Sequence, residues 1–519
     1  MPSPVISIAQ MRDWEKATWA TGQTEAEVIR RVGKAVGEYA LGLTKPGELI
    51  VIVAGKGNNG QDARCARECL PERRVDLLEV RDPAMDFSKM ETLLSLKPAL
   101  VIDGLFGIGV NRPLNADWIR FIEKINASKA RVLAVDVPSG LDADSGEPQG
   151  AAIRAAVTLA VGTPKTGLLA QSAWPFVGRL EVAREVGLIP CPHASEVKWT
   201  LSEDFIGYPP RREEATHKGS YGHLAILAGS LGYHGAAVLT ARGAQRARPG
   251  LITLHTLESV YAVVAGQLQA VMVSPWECGV ELNKPSEVQA RPLTPSLSPS
   301  DGERVTSGLA QSFSPSDGEK VTSGLAQSLL APRIASRYSG LLAGPGLAAS
   351  TIPEELKMLT KKLWRESPLP MVVDASALAW LPPGAVPDKA IRVITPHPGE
   401  AARLLDCTSS DVQANRVSAM RALAKKYGNT WVVLKGHQTV VGRSEGAIFV
   451  NCSGNPYLAQ GGSGDVLSGF LAGLLAQPIL QPDPLMAIRF AVWQHGAAAD
   501  RLQSRRRNWV VEELAGELG

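Results

Sequence analysis

The stretch NPYLAQGGSGDVLSG, residues 455–469, gathers glycines around Ser463 and follows them at once with Asp465, at the start of an apolar run with helical spacing. Glycines let backbone N–H groups approach an anion closely, and a helix N-terminus adds unpaired donors and a favourable dipole. A phosphate suits such a place and a carboxylate does not. Asp465 is therefore either a cap on the helix that begins near Ser463 or a base held beside a phosphoryl group that reacts. Upstream, VVLKGHQT places Lys435 and Gly436 just past a strand pattern, and TPHPGE at 395–400 offers His397 and Glu400. In the first half of the chain VAGKGNNGQDA (53–63) also follows a strand pattern and opens a helical one. Its glycines do not fall in the G-x-G-x-x-G register of a dinucleotide fingerprint. Its paired Asn58 and Asn59 offer carbonyl oxygens as well as N–H donors, and Asp103 and Asp136 end neighbouring strand patterns. Hard oxygen ligands gathered at one sheet edge suit a cation. Two carboxylates with amide or hydroxyl oxygens fit K⁺ better than zinc, while K⁺ and Mg²⁺ both stay open.

The elements that must position these residues read as short apolar runs separated by helical patterns. ELIVIVAG (48–55), RVDLLEV (74–80), ALVIDGLFG (99–107) and RVLAVDVPSG (131–140) are expected to be buried parallel strands. Each ends in glycine or acid, where an open α/β sheet places its ligands. The second half repeats this pattern in YGHLAILAGS (221–230), SGLLAGPGL (339–347), LPMVVDASAL (369–378), IRVITPHPGE (391–400) and TWVVLKGHQT (430–439). The fold class is α/β with two domains, residues 1–200 and 201–519, and the boundary falls in 187–205, where the strand pattern lapses and proline gathers. One segment belongs to neither: SPSDGERVTSGLAQS (298–312) recurs as SPSDGEKVTSGLAQS (314–328). Its composition cannot bury a core, so a disordered surface insertion is expected at about 284–330.

Composition excludes several function classes. With 45% hydrophobic and 20% charged residues and a net charge of +3, the chain has no footprint of nucleic-acid binding, and small molecules are the expected partners. No apolar run is long enough to span a bilayer and the first residues lack a signal-peptide pattern, so a cytoplasmic protein with no membrane partner is expected. The six cysteines are scattered, and the C-x-x-x-C spacing of Cys65 and Cys69 is not a zinc signature. Reduced thiols are expected rather than a disulfide framework.

Taken in order, TPHPGE, VVLKGHQT and GGSGD resemble the ribokinase-like superfamily. The resemblance implies that Asp465 deprotonates an attacking hydroxyl while the amides of Gly462, Ser463 and Gly464 hold the transferred phosphoryl group. HKGSYGHLAILAGS (217–230), GAAVLTARGA (235–244), VVDASAL and GNPYLAQGGSGDVLSGFLAGLLAQ narrow the match. They look like the ADP- or ATP-dependent NAD(P)H-hydrate dehydratases, over nearly all of 205–505 outside the insertion. This implies nucleotide contacts from Lys435, Gly436, His437, Gln438, Thr439 and Gly464. It also implies a hydrate site lined by Ala236, Gly346, His397 and Asp465, and Mg²⁺ held through water by Glu400. The alternatives that the residues alone leave open are that His397 caps the following helix and that Lys435 is a solvated strand end.

GKGNNGQD, DGLFGIGVNRP (103–113), AVDVPSGLDADSG (134–146) and VTLAVGTPKTGLL (157–169) are similar to the NAD(P)H-hydrate epimerase domain, over roughly 5–190. The two resemblances imply a Rossmann-like three-layer sandwich followed by a ribokinase-like α/β/α domain. For the first domain they imply K⁺ on Asn59, Asp103 and Ser139, with Asp136 at the hydroxyl of the reacting carbon. Substrate contacts are implied from Asn58, Asn59, Gly60, Gln61, Asp62, Gly107, Ile108, Gly109, Val110, Asn111, Arg112 and Pro113. The whole chain then resembles a bifunctional isomerase and lyase, a homo-oligomer that restores NADH and NADPH from their hydrates NADHX and NADPHX with ADP or ATP as phosphoryl donor. Departures from the family pattern are Ser376 in DASAL, the lack of an acid in QAVMV (269–273), EVIRRVG (27–33), and NNGQDA, where Gln61 and Ala63 replace glycines. If Gln61 has to adopt a positive φ, that loop is strained and epimerisation suffers. Two rivals remain: a ribokinase-like small-molecule kinase with an inactive N-terminal binding domain, marked by a stable phosphorylated product, and a nucleotide-binding scaffold.

Overall fold

The computed structural model describes residues 2–110, 112–276, 337–506 and 508–519. The expected insertion at 284–330, the tandem repeat, Cys278 and the site candidate Asn111 lie outside the described residues. The two-domain α/β architecture expected from the apolar runs is present as two sheets.

The strand Leu49–Ala54 shows how the first sheet is built. Side chains alternate between faces along a strand, and all six residues are buried. Ile50, Ile52 and Ala54 join Val28, Val32 and Val36 of the helix Glu25–Leu43 in one core cluster. Leu49, Val51 and Val53 join Met90 and Leu94 of Pro83–Ser95 and Phe121, Ile122 and Ile125 of Ala116–Ala127 in another. Apolar on both faces, the strand needs helices on both, which makes three layers. The six strands run Arg74–Glu79, Leu49–Ala54, Leu100–Gly104, Val132–Val135, Val157–Val161, Arg179–Ala183, all parallel. Strand order reverses between Leu49–Ala54 and Leu100–Gly104, and ligands bind at such a switch point.

In the second sheet seven parallel strands follow the order Trp431–Leu434, Arg392–Ile394, Met371–Val373, Gly340–Ala343, His223–Leu227, Leu251–Leu257, Met272–Trp276. Here the order reverses between His223–Leu227 and Gly340–Ala343. The helix Ser463–Leu475 is buried on every side from Val466 to Leu475, as expected of a helix apolar all round. It lies against the Gly340–Ala343 and Met371–Val373 strands and the helix His234–Ala247. Small residues let the two helices touch: a Cβ added at Gly469 would sit 1.9 Å from the Thr240 carbonyl oxygen.

The sheets do not part at residue 200. An antiparallel hairpin, Val440–Gly442 and Ile448–Val450, extends the second sheet beyond Trp431–Leu434. Val197–Trp199, from the expected linker, pairs with Ile448–Val450, and Ser3–Pro4 at the start of the chain pairs with Val197–Trp199. Among the described residues no helix is long and apolar enough to cross a membrane, and Cys65, Cys69, Cys191, Cys407 and Cys452 are free thiols.

Candidate active sites

A cavity of about 950 Å³ opens at the switch point of the first sheet. Asn59 and Asp136 line it from the strand ends, while Asp103 and Ser139 are not among its lining residues and are bonded to each other. Asp103, 1% exposed, accepts hydrogen bonds from the Ser139 hydroxyl (2.6 Å), the Ser139 N–H (2.9 Å) and the Leu105 N–H (3.2 Å). Asn59 donates through Nδ2 to the Phe106 carbonyl at 2.8 Å, and the Phe106 N–H donates to Ser139 Oγ at 2.8 Å. The three residues expected to hold K⁺ thus meet around the Phe106 backbone. One carboxylate among neutral oxygens fits a single positive charge. Burial pushes the Asp103 carboxyl up to about 6 against the pull of its Ser139 and Leu105 bonds.

Asp136 enters the same cavity from the end of Val132–Val135. Its Oδ1 accepts from Lys165 Nζ at 2.5 Å and from the Val161 N–H at 2.9 Å, and Lys165 has no exposed surface. The residue sits at φ 63°, an uncommon conformation for a non-glycine. Asp62 and Glu15 also line the cavity, and both are raised from the carboxylate range, first by burial and then by the Asp136 charge.

Of the residues from which substrate contacts are expected, Asn58, Asn59, Asp62, Gly107, Ile108, Gly109, Val110, Arg112 and Pro113 line the cavity, whereas Gly60 and Gln61 do not. Gly60 packs on the backbone, where an added Cβ would lie 2.1 Å from the Gly55 carbonyl oxygen. Gln61 is an exposed residue of the helix Asn58–Ala66, its N–H on the Gly57 carbonyl at 3.1 Å. It has no positive φ, so the strain that NNGQDA could impose is absent at this position. Lys165 was not singled out from the sequence. Its signal was a lysine in GTPKTGLL just past a buried strand.

The second site forms at the start of Ser463–Leu475. Gly462 is the N-cap at φ 93°, and no side chain caps this helix start. Asp465 is therefore no cap. It lies in the first turn, where burial and the neighbouring Asp374 charge push it up to about 7 against the opposing pull of Lys435. Of the three amides expected around the phosphoryl group, that of Ser463 has a backbone partner. The Ser463 N–H donates to the Gln460 carbonyl at 3.3 Å and its hydroxyl to the Leu458 carbonyl at 2.8 Å. The Gly464 and Asp465 amides precede the first helical bond, Val466 N–H to the Gly462 carbonyl, so the helix itself gives them no partner.

Lys435 is not a solvated strand end. Its Nζ binds Asp374 Oδ1 at 2.8 Å and stands 3.9 Å from Glu400 Oε2, and a Cβ added at Gly464 would lie 3.2 Å from it. Burial lowers its proton affinity, but the Asp374 and Glu400 charges outweigh burial and hold it above the usual lysine value. His397 does cap its helix, its Nδ1 accepting from the Gly399 and Glu400 N–H groups while the Glu400 carboxylate accepts from the His397 N–H at 2.8 Å. Gly346, at φ 66°, comes close to Ala236, and the two follow the strands Gly340–Ala343 and His223–Leu227 that flank the second switch point. The 435–439 loop turns through positive φ at Gly436 and Gln438. Arg416 steadies it by donating to the Leu434 and Lys435 carbonyls at 2.8 and 3.1 Å. Asp374 and Arg416 were missed in the sequence, although Asp374 stands in the quoted VVDASAL just past a strand.

A family model described as NAD(P)H-hydrate dehydratase matches residues 316–517, and one described as YjeF-related protein N-terminus matches 75–167. The bifunctional NAD(P)H-hydrate repair enzyme Nnr of Coxiella burnetii is 31% identical over 95% of this chain and 93% of its own. The enzyme of the same name from Escherichia coli is 29% identical over 98% and 91%. Among solved structures, the ADP/ATP-dependent NAD(P)H-hydrate dehydratase of Bacillus subtilis, co-crystallised with ATP and Mg²⁺, aligns with 60% of this chain and 91% of its own. That alignment has 26% identity and a TM-score of 0.44. With both of its sites built and relatives matching it almost end to end, the chain belongs to the bifunctional NAD(P)H-hydrate repair enzymes.

Proposed function

We propose that the two sites act in sequence on hydrated NADH and NADPH, the first interconverting the R and S hydrates and the second dehydrating the S form with ADP or ATP. The observation that carries this reading is Asp465, a carboxyl near neutrality set beside amides to which the helix gives no partner and the Lys435 ammonium. That is the equipment for moving a phosphoryl group to a hydroxyl. Hydroxide is a poor leaving group from the hydrated ring. Asp465 takes the proton of the ring hydroxyl, whose oxygen bonds to the terminal phosphorus as the shortened nucleotide departs. Phosphate then leaves the carbon, a proton leaves the adjacent carbon, and the ring double bond returns. The Gly464 and Asp465 amides with Lys435 stabilise the transferred charge. Glu400 would hold Mg²⁺ through water, and the ion, when bound, would neutralise charge at the nucleotide phosphates.

In the first site the reacting carbon bears both a hydroxyl and the ring nitrogen. Inverting such a carbon requires its bond to the ring nitrogen to break as the hydroxyl loses its proton and the nitrogen gains one, and then to re-form on the opposite face as both protons return. The buried Asp136–Lys165 pair can accept and return the hydroxyl proton. Asn59, Asp103 and Ser139, with the Phe106 carbonyl, are the oxygen donors that would hold K⁺ beside it.

The test is the near-ultraviolet absorbance of reduced nicotinamide after adding the chain to mixed R and S hydrates with Mg²⁺, K⁺ and either nucleotide. Complete recovery without a stable phosphorylated product is expected. Accumulation of such a product points to a kinase, and no recovery with either nucleotide refutes the reading.

A further inference from the structure

Two contacts cross from the N-terminal sheet unit to the loops that frame Asp465, and the chemistry above uses neither. Trp174 opens the short helix Trp174–Val177. Its indole meets His437 edge-on, with ring centroids 5.1 Å apart and planes at 74°. Arg179 begins the unit's last strand, Arg179–Ala183. It binds Glu181 at 2.5 Å through Nε and Asp500 Oδ2 at 2.9 Å through Nη1. Asp500 belongs to the helix Pro484–Arg505 and accepts in turn from the Gly454 N–H and from Asn455 Nδ2, each at 3.0 Å. These residues begin the segment that runs into Gly462 and Asp465.

The two loops are also tied to each other, because the Asn451 N–H donates to the Thr439 carbonyl at 2.9 Å. Apolar residues already hold the two units together: Val5, Val137, Trp199 and Val450 share one core cluster. The polar contacts are additional and fall on the loops, which turn through positive φ at Gly436, Gln438, Gly454 and Gly462, three of them glycines with wide backbone freedom. A loop built from such permissive turns depends on outside anchors for a single geometry.

We propose that the N-terminal unit is a structural part of the nucleotide site of the C-terminal unit, Trp174 seating His437 while Arg179, through Asp500, fixes the segment leading into the glycine turn. Both are positioning residues. The inference rests on the assignment of 435–439 and 462–464 to the nucleotide.

The test is equilibrium binding of Mg²⁺·ADP and Mg²⁺·ATP to the full chain, measured beside both reaction rates and the melting temperature. Arg179→Met and Trp174→Ala are each expected to weaken nucleotide binding about fivefold or more, the scale of one part-buried contact. Epimerisation, and dehydration at saturating nucleotide, should stay within about twofold of the wild type, as loss of binding common to ground and transition states requires. Arg179→Lys keeps a charge on Asp500 and Trp174→Phe keeps an aromatic edge on His437, so each should recover most of the loss. Unchanged nucleotide binding in both truncated variants overturns the proposal. A parallel fall of both activities and melting temperature, with no recovery in the conservative variants, also overturns it, since that marks a merely structural interface. If one truncated variant does not fold, the other decides, because the two contacts stand on different elements. A wild-type chain that binds nucleotide but dehydrates nothing defeats the functional reading and leaves this comparison standing; one that binds neither nucleotide defeats both.

Discussion

A carboxylate in the first turn of a helix is ordinarily held ionised by the free amides and the dipole. At Asp465 burial and the Asp374 charge win instead, and the group sits at about 7. A base must be deprotonated to act, so dehydration at saturating substrate is expected to rise with pH through about 7 and level off above it. Asp465→Asn should cost about a hundredfold or more in rate and remove that rise, with nucleotide binding retained. A variant that keeps wild-type turnover refutes the base assignment. In the other unit Asp136→Asn should end epimerisation and spare dehydration, so that recovery from mixed hydrates stops when the S form is exhausted. Asp465 and Asp136 were legible because each follows a pattern visible in its own neighbourhood, a glycine run or a buried strand. Lys165 and Asp374 were not singled out because their importance lies in their partners, and the Lys435–Asp374 pair spans 61 residues.

Elements were legible where apolar residues dominate the run that makes the strand. All nine runs read that way contain one. Leu251–Leu257 escaped because Thr253 and His255 interrupt its apolar character. The strand is buried nonetheless, since His223 Nε2 pairs with the Thr253 hydroxyl at 2.8 Å and His255 Nε2 with the Tyr338 hydroxyl at 2.9 Å. The hairpin strands Val440–Gly442 and Ile448–Val450 are too short to show a period. What no pattern displays is how closely the Ser463–Leu475 helix lies on His234–Ala247. Gly469→Ala places a methyl against the Thr240 carbonyl and pushes the helices apart. The expected cost is about 1–3 kcal/mol in unfolding free energy, the range for overpacked cores. Because Asp465 rides on the displaced helix, dehydration should fall while epimerisation holds. Wild-type stability in this variant would show that the helices part at no cost.

At the scale of the molecule the sequence displays two α/β units, and the seam between them is where pattern reasoning runs out. Strands of two and three residues carry no periodicity, so nothing in SPV or VKW announced that Ser3–Pro4 and Val197–Trp199 would close the edge of the second sheet. The physical consequence concerns where the chain can be cut. A fragment beginning at residue 201 loses Trp199, which is 2% exposed in the full chain, and bares the hydrogen-bonding edge of Ile448–Val450. A fragment beginning at residue 192 keeps both. Trp199 packs chiefly on residues of the first unit, which both fragments lack, so the difference between them is the strand pairing, and an uncovered edge strand invites pairing with another chain. The longer fragment is therefore expected to resist denaturant more strongly and to stay monodisperse in light scattering at concentrations where the shorter one aggregates. Equal behaviour of the two would mean that the Val197–Trp199 strand contributes nothing to the second unit. In that case the seam would be held by the apolar cluster and side-chain contacts alone, and a cut at residue 200 would separate two self-sufficient domains.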